Sequence, residues 1–264
     1  MGRIKRNSTI YYSDPLNDDF NDLGIKRKDV PDNYKYKREN PIYNFFAWIE
    51  YHILAKMILG TFCFFKGIKV KGRKNLKEVR KKGAILYHNH TTIMDAFQVQ
   101  SFIDTYQRVN IVGFSDALNI PVAKYFVRGL GILPISSNPR KNIKLCDAIK
   151  FYLDKGEHIL IYPEAHIWPY YTGIRPFLST SFHYPAKYNV PIVPMCTTYR
   201  KGLFNKPKET IYIGKAIYPK EELSIKENKE YLRDACYNFM VNISSSVNQY
   251  KYVNYEYREQ LNEE

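Results

Sequence analysis

The stretch Gly83 to Asp95, G-A-I-L-Y-H-N-H-T-T-I-M-D, constrains the chain more than any other, because it passes from apolar burial to an unbroken polar run within a few residues. Ala84 to Tyr87 is a short apolar run behind a glycine, the mark of a buried strand. Thr92-Ile-Met-Asp95 has the spacing of a capping box, which predicts a helix starting there with Thr92 at its N-cap. His90 then sits in the strand-to-helix turn. On one continuous helix, His90 and Asp95 would stand about 140° apart and could not meet. With His90 ahead of the helix and Asp95 in its first turn, the imidazole can fold back so that one ring nitrogen meets the carboxylate and the other points outward. That is a general base with an orienting partner. The alternative is plain: Asp95 caps backbone amides and His90 is a loop histidine.

Beyond this turn the pattern alternates in the α/β manner. A helix from about Asp95 leads to a strand at Val109 to Phe114, a helix near Ile120 to Arg128 and a strand at Gly131 to Ile135. Lys141 to Lys155 has helical spacing and Gly156 ends it. The strand His158 to Tyr162 runs into Pro163-Glu164 and a long turn, Ala165 to Pro176. Helix Ser179 to Tyr188, strands Val190 to Thr197 and Thr210 to Gly214, and an amphipathic helix from about Asn228 to Val247 follow. No internal repeat is present. Residues 67–250 read as one α/β domain and 251–264 as a charged tail.

Residues 1–40 mix charges of both signs and show no sustained period, so they read as a polar arm or disordered leader. Pro41 to Lys66 is strongly apolar and aromatic. Glu50, His52 and Lys56 interrupt it near the centre, where each would be costly at mid-bilayer, so an interfacial helix fits better than a spanning one. Lys66 to Lys82 then carries nine Lys or Arg and one acid, Glu78. Each such cation contributes about 1 kcal/mol next to anionic head groups, and membrane contact is the reading preferred over a solvated face on a core helix.

Over all 264 residues, 40 Lys+Arg stand against 26 Asp+Glu, and the pI is about 9.4. This favours an anionic partner, although dense use of Lys, Asn and Tyr is also what an A+T-rich genome yields. Cys63, Cys146, Cys196 and Cys236 lack the short spacings of zinc or redox sites and read as bystander thiols in a reducing compartment. The basic start has no apolar signal core and no myristoylation pattern, so the catalytic part is expected to stay in the cytosol.

A second candidate site lies at Tyr162-Pro163-Glu164, a carboxylate at a strand end, where open α/β sheets bind ligands. Arg175, eleven residues on, has the planar fork that grips phosphate; pairing with Glu164 or a carbonyl is the alternative. Arg128 and Arg140 flank the Gly131 strand and would add positive potential. Two other classes compete: a metal-dependent hydrolase using His88 and His90, and a non-catalytic module binding anionic lipid or nucleic acid. No Gly-x-Ser-x-Gly elbow occurs.

Taken together, four blocks in order over about Gly83 to Gly214 resemble the glycerophospholipid acyltransferase family. They are the histidine-four-residues-aspartate block Asn89-His90-Thr-Thr-Ile-Met-Asp95, the glycine-initiated Gly131-Ile-Leu-Pro-Ile135, Tyr162-Pro163-Glu164, and Val190-Pro-Ile-Val-Pro194. The resemblance implies a glycerol-3-phosphate acyltransferase-like mixed sheet flanked by helices. It implies His90 as general base, Asp95 as its orienting group, and Glu164 with a nearby arginine in glycerol and phosphate binding. The implied reaction moves a fatty acyl group from acyl-CoA or acyl-ACP to a lysophospholipid, 1-acylglycerol-3-phosphate foremost, to give phosphatidic acid. No metal, other cofactor or nucleic acid is expected, and the expected place is the cytoplasmic face of a membrane, peripheral or monotopic. Two departures stand out. Ala165-His166-Ile167 replaces the usual Gly-Thr-Arg after the glutamate, and Ser136-Ser137 stands where the second block usually ends in arginine. Arg175 and Arg140 are the substitutes the sequence offers.

Overall fold

The computed structural model describes residues 4–20, 29–115, 118, 128–248 and 250–259. Among them run nine strands: β1 (Thr9–Tyr12), β2 (Lys69–Lys71), β3 (Ala84–His88), β4 (Val109–Phe114), β5 (Ile132–Ile135), β6 (His158–Ile161), β7 (Ile192–Lys201), β8 (Pro207–Ile213) and β9 (Asn254–Tyr257). Helix α1 (Pro41–Lys66) precedes the sheet, and its middle, Glu50–Leu59, widens to π-helical turns. Helix α2 (Asp95–Gln98) continues through Val99–Ile103, and α3 (Asn142–Asp154), α4 (His183–Tyr188) and α5 (Ile225–Val247) follow. The helix expected near Ile120 to Arg128 falls, but for Arg128, outside the described residues.

Seven strands form one sheet in the order β2-β8-β7-β3-β6-β4-β5. β3 lies between β6 and β7 and is parallel to both; the β7–β8 pair is antiparallel. All five residues of β3 are buried, as expected of a parallel strand covered on both faces. Its side chains alternate between two cores. Ile85 and Tyr87 join Leu145, Ile149 and Tyr152 of α3 and Leu232, Cys236 and Met240 of α5. Ala84 and Leu86 join Cys63 of α1 and Val99 and Ile103 beyond α2. Each large apolar side chain so buried contributes about 1.5–3 kcal/mol. The mixed α/β sheet flanked by helices is the architecture expected from the sequence.

Gly131 opens β5 at φ 91°, and a Cβ there would lie 2.6 Å from the Asn110 carboxamide oxygen. That accounts for glycine at the head of the second block. α5 begins at a full capping box, Ser224 with Glu227, three residues ahead of the predicted start.

The segment before Pro41, which showed no period in sequence, is packed where it is described. Tyr34 and Tyr36 donate their phenols to the carbonyls of Ile132 and Pro134 on β5, both at 2.8 Å. The Arg38 guanidinium donates to Asn110 at 3.0 Å and Glu157 at 2.9 Å. Further toward the terminus, β1 pairs in parallel with β9, a strand inside the supposed charged tail. Irregular backbone held by phenols and a guanidinium leaves no two- or 3.6-residue repeat to read, which is why the sequence shows an arm.

Helix α1 docks one side on the domain. Ala47, Tyr51, Ala55 and Cys63 are buried, and the Tyr51 hydroxyl accepts from the Val109 amide at 2.9 Å. The opposite side exposes Ile42, Phe45, Phe46, Met57, Ile58, Phe62, Phe64 and Phe65. Glu50, His52 and Lys56 are partly buried; the Glu50 carboxylate covers Gly129 and the Lys56 ammonium lies 5.4 Å over the Tyr51 ring. These polar groups turn toward the protein, so the outer face stays apolar. By length and composition, α1 is also the one helix among the described residues that could cross a membrane.

Candidate active site

The register of the central strands creates the site. Tyr87 of β3 pairs with Ile161 of β6, and His90 and Glu164 each lie three residues beyond that pair. They meet at the carboxyl edge of the sheet: the His90 amide donates to Glu164 Oε2 at 3.1 Å. On the other side, Asn89 continues the ladder with its side chain. Its carboxamide oxygen accepts from the Thr197 amide at 2.7 Å and its NH2 donates to the Thr197 carbonyl at 3.2 Å. The turn between β3 and α2 is thus pinned on both flanks before any catalytic group is considered.

Asp95 is fully buried and fills the turn with its carboxylate. Oδ2 accepts from the amides of Thr91 (2.7 Å) and Thr92 (2.8 Å), and Oδ1 accepts from the Thr92 hydroxyl (2.7 Å). The same Oδ2 lies 3.3 Å from His90 Nδ1. The carboxylate thus caps two amides and lies within reach of the imidazole at the same time. Burial pushes the Asp95 carboxyl up, but the hydrogen bond and charge of His90 and the donors around it outweigh burial and hold it below the usual carboxylate range. The helix starts at Asp95, as expected, but its N-cap residue is Met94 rather than Thr92 and makes no side-chain bond. With three donors of the turn on Asp95, Thr91 to Met94 stay in a turn.

The His90 ring stacks on Tyr162, with centroids 3.9 Å apart and planes 18° off parallel. Its side chain is 14% exposed, and Nε2 has no partner among the described residues. An imidazole held by a carboxylate on Nδ1, a ring on one face and its amide anchored to Glu164 can accept a proton at Nε2 and return it. Tyr162 was legible only as a strand end; nothing in its spacing marks it as the ring that fixes His90.

Glu164 is buried, and burial raises its carboxyl against the lowering influence of Arg175 and the two amides it accepts. Its second oxygen takes the Arg175 amide at 2.8 Å. Arg175 is 1% exposed. Its guanidinium donates to the carbonyls of Glu164 (3.0 Å), His166 and Pro15 (3.3 Å) and lies over the Trp168 ring. These contacts occupy the fork that was expected to grip phosphate, and Arg175 instead holds the Ala165–Pro176 turn against the N-terminal segment. Trp168, inside that turn, stacks on Tyr255 of β9 at 4.9 Å and donates to the Asp18 carbonyl at 2.7 Å. The turn in its own right braces His90, because the Trp168 amide donates to the His90 carbonyl.

The other two arginines are not brought to His90. Arg140 is exposed beyond β5. The Ser136-Ser137 turn there is closed by an acid: the Ser136 hydroxyl and the Ser137 amide donate to Asp29. Arg128 lies 4.8 Å over the Tyr43 ring and lines a separate cleft with Lys35, Lys37 and Phe46. The cations that share a groove with the turn after His90 are lysines, and two of them, Lys206 and Lys208, were not singled out in the sequence. A groove of about 620 Å³ is lined by Thr91 to Met94, by Ile167 and Tyr170, and by Lys66, Lys206, Lys208 and Glu209. Ile167 occupies the place of the family's arginine. Lys66 pairs with Glu209 at 2.7 Å. Lys206 and Lys208 come from β8 and the turn before it, over a hundred residues from His90, so no local spacing could have linked them.

His88 does not join His90 in a ligand pair. It is fully buried, with Nε2 on the Thr197 hydroxyl at 2.8 Å, and among the described residues no three His, Cys, Asp or Glu side chains converge as a metal site would. A second histidine–carboxylate pair, His158 with Asp104 at 2.5 Å, lies at the opposite edge of the sheet. It is sealed from solvent, and its other ring nitrogen faces the Val79 carbonyl.

Comparison with known proteins bears on the whole of this arrangement. The crystal structure of the 1-acyl-sn-glycerophosphate (LPA) acyltransferase PlsC from Thermotoga maritima has the same fold. The TM-score is 0.54 at 16% identity, over 78% of this chain and 95% of that one. No curated protein matches the sequence. The acyltransferase family model matches residues 67–198, which run from β2 into β7 with His90, Asp95, Gly131 and Glu164. With half of its length matched, and the site assembled at the carboxyl edge of a like sheet, the chain belongs to the acyltransferase family and is an acyltransferase.

Proposed function

We propose that this enzyme transfers a fatty acyl group from an acyl thioester, acyl-CoA or acyl-ACP, to the free hydroxyl of a lysophospholipid at a membrane surface. 1-Acylglycerol-3-phosphate, giving phosphatidic acid, is the foremost acceptor. The observation that carries the proposal is the geometry at His90, whose Nδ1 faces a buried carboxylate at 3.3 Å while Nε2 is left for an alcohol. In the reaction His90 Nε2 removes the hydroxyl proton as the oxygen attacks the thioester carbonyl. The C–S bond then breaks and the proton passes to the departing thiolate. Asp95 stabilises the imidazolium in between. The Thr91 and Thr92 amides are bonded to Asp95, so any backbone donor that steadies the oxyanion comes from elsewhere.

For the acceptor phosphate, the groove lysines Lys206 and Lys208 replace the arginines that the sequence offered, because they line the same cavity as Thr91 and Thr92. The apolar outer face of α1 and the basic run after it support docking on anionic lipid, at the cytoplasmic leaflet. Mass spectrometry of lipids after incubation with a panel of lysolipids and both kinds of thioester tests the proposal. A new diacyl phospholipid that is absent with His90→Ala is the expected result. Thiol release without a new ester would replace it with thioester hydrolysis, and an unchanged rate in His90→Ala would refute the mechanism.

A further inference from the structure

The β7–β8 hairpin ends in a turn whose outermost residues, Leu203 and Phe204, the reaction does not use. Its last ladder pair is Lys201 with Pro207, and the Gly202 amide closes the loop on the Lys206 carbonyl at 2.8 Å. At the tip, Leu203 and Phe204 are 74% and 82% exposed. Phe204 has φ 55° and ψ 33°, a left-handed conformation that disfavours bulky side chains and suits glycine or asparagine. A large ring is thus held in water, at a backbone position that resists it, with no core to fill.

The tip is fixed beside the end of α1. Lys208 donates to the Lys66 carbonyl at 2.5 Å, Arg200 to the Gly67 carbonyl at 2.6 Å, and the Lys66–Glu209 pair joins the two elements again. α1 ends there in Phe64 and Phe65, which are themselves exposed. Lys66 follows Phe65 in the chain, and the exposed Lys201 and Lys206 flank Leu203 and Phe204 in the hairpin turn. Aromatic and aliphatic tips next to exposed cations match an anionic bilayer, whose interior takes the apolar side chains and whose head groups take the lysines. Lys206 and Lys208 also line the groove beside His90.

We propose that the β7–β8 tip is a second membrane anchor: Leu203 and Phe204 insert into an anionic phospholipid surface alongside Phe64 and Phe65, and set the groove mouth at the lipid boundary. Only the use of the groove by a lipid rests on the lysolipid reaction proposed above; insertion of the tip stands apart from it.

The test uses Phe204→Trp in a Trp48→Phe background, with the emission of that background, which keeps the buried Trp168, subtracted, and with vesicles of phosphatidylglycerol and phosphatidylcholine whose acyl chains are brominated. Tryptophan emission is expected to shift to the blue and be quenched. Phe204→Gly is expected to keep or raise the melting temperature, since it relieves the left-handed strain, while binding anionic vesicles about tenfold or more less tightly. Its activity on a soluble short-chain lysolipid stays at the wild-type value and its activity on vesicle-borne lysolipid falls. Unquenched emission from vesicle-bound protein, or wild-type binding by Phe204→Gly, would overturn the anchor. So would a lipid-independent dimer that dissociates on Phe204→Gly, which would make the tip a protein contact. If quenching occurs but no lysolipid is acylated, the anchor stands and the proposed reaction falls.

Discussion

Replacing Asp95 by asparagine separates its two tasks. The carboxamide oxygen can accept the Thr91 and Thr92 amides that Oδ2 accepts now at 2.7 and 2.8 Å, and its NH2 can donate to the Thr92 hydroxyl, which rotates to accept. The turn therefore survives, and the melting temperature is expected to move by no more than a few degrees. What disappears is the negative charge 3.3 Å from His90 Nδ1. Two unit charges at that distance, in an effective dielectric of about 20, attract by about 5 kcal/mol. That interaction exists only once the imidazole has taken the proton, so its loss falls on the transition state, and at about 1.4 kcal/mol per tenfold it corresponds to a rate loss of about 10³–10⁴. Removing the orienting carboxylate from a serine-protease triad costs about 10⁴ in rate, a loss of the same size. The assay is continuous detection of free thiol with saturating thioester and lysolipid, with circular dichroism and melting to verify the fold. A folded Asp95→Asn protein within tenfold of wild type would show that the carboxylate only caps the turn.

Arg175→Ala should lower stability by about 3–5 kcal/mol, because it strips donors from three carbonyls and leaves Glu164 buried without its cation; an unchanged melting temperature with a raised KM would restore Arg175 to the phosphate. Asn89→Ala leaves the Thr197 amide and carbonyl unpaired in the interior and should cost about 3 kcal/mol in a denaturant titration. Burial holds His88 down to about 4, below an ordinary value of about 6.5. Between these values the unfolded chain binds a proton that the folded one refuses, so stability falls as pH drops through that window, by about 3 kcal/mol in all. Equilibrium unfolding from pH 7 to 4 should show this slope, and His88→Gln should flatten it. Ala165 stands at φ 63°, where the family has glycine, and Ala165→Gly should stabilise the protein by about 1 kcal/mol in the same titration.

Short-range features were legible because their causes are short-range. The buried run Ala84 to Tyr87, the turn that follows it and the five-residue step from His90 to Asp95 all lie within one strand-turn-helix unit, and the chain itself dictates that geometry. The alternation of later strands and helices follows from the same local periodicities, and the four blocks in order were enough to read the family. The exposed aromatic face of α1 was also foreshadowed by composition. Only the tertiary structure decided which charged groups meet. Arg175 is close to Glu164 in sequence and reads as a ligand for phosphate, yet the N-terminal segment and Trp168 close over it and turn it into a brace. Lys206 and Lys208 are remote in sequence but reach the groove because β8 pairs antiparallel with β7, two strands from β6. The arm's phenols find β5 carbonyls, and β1 finds β9, for the same reason: electrostatic and hydrogen-bond partners depend on distance in space, which strand order sets and linear spacing does not.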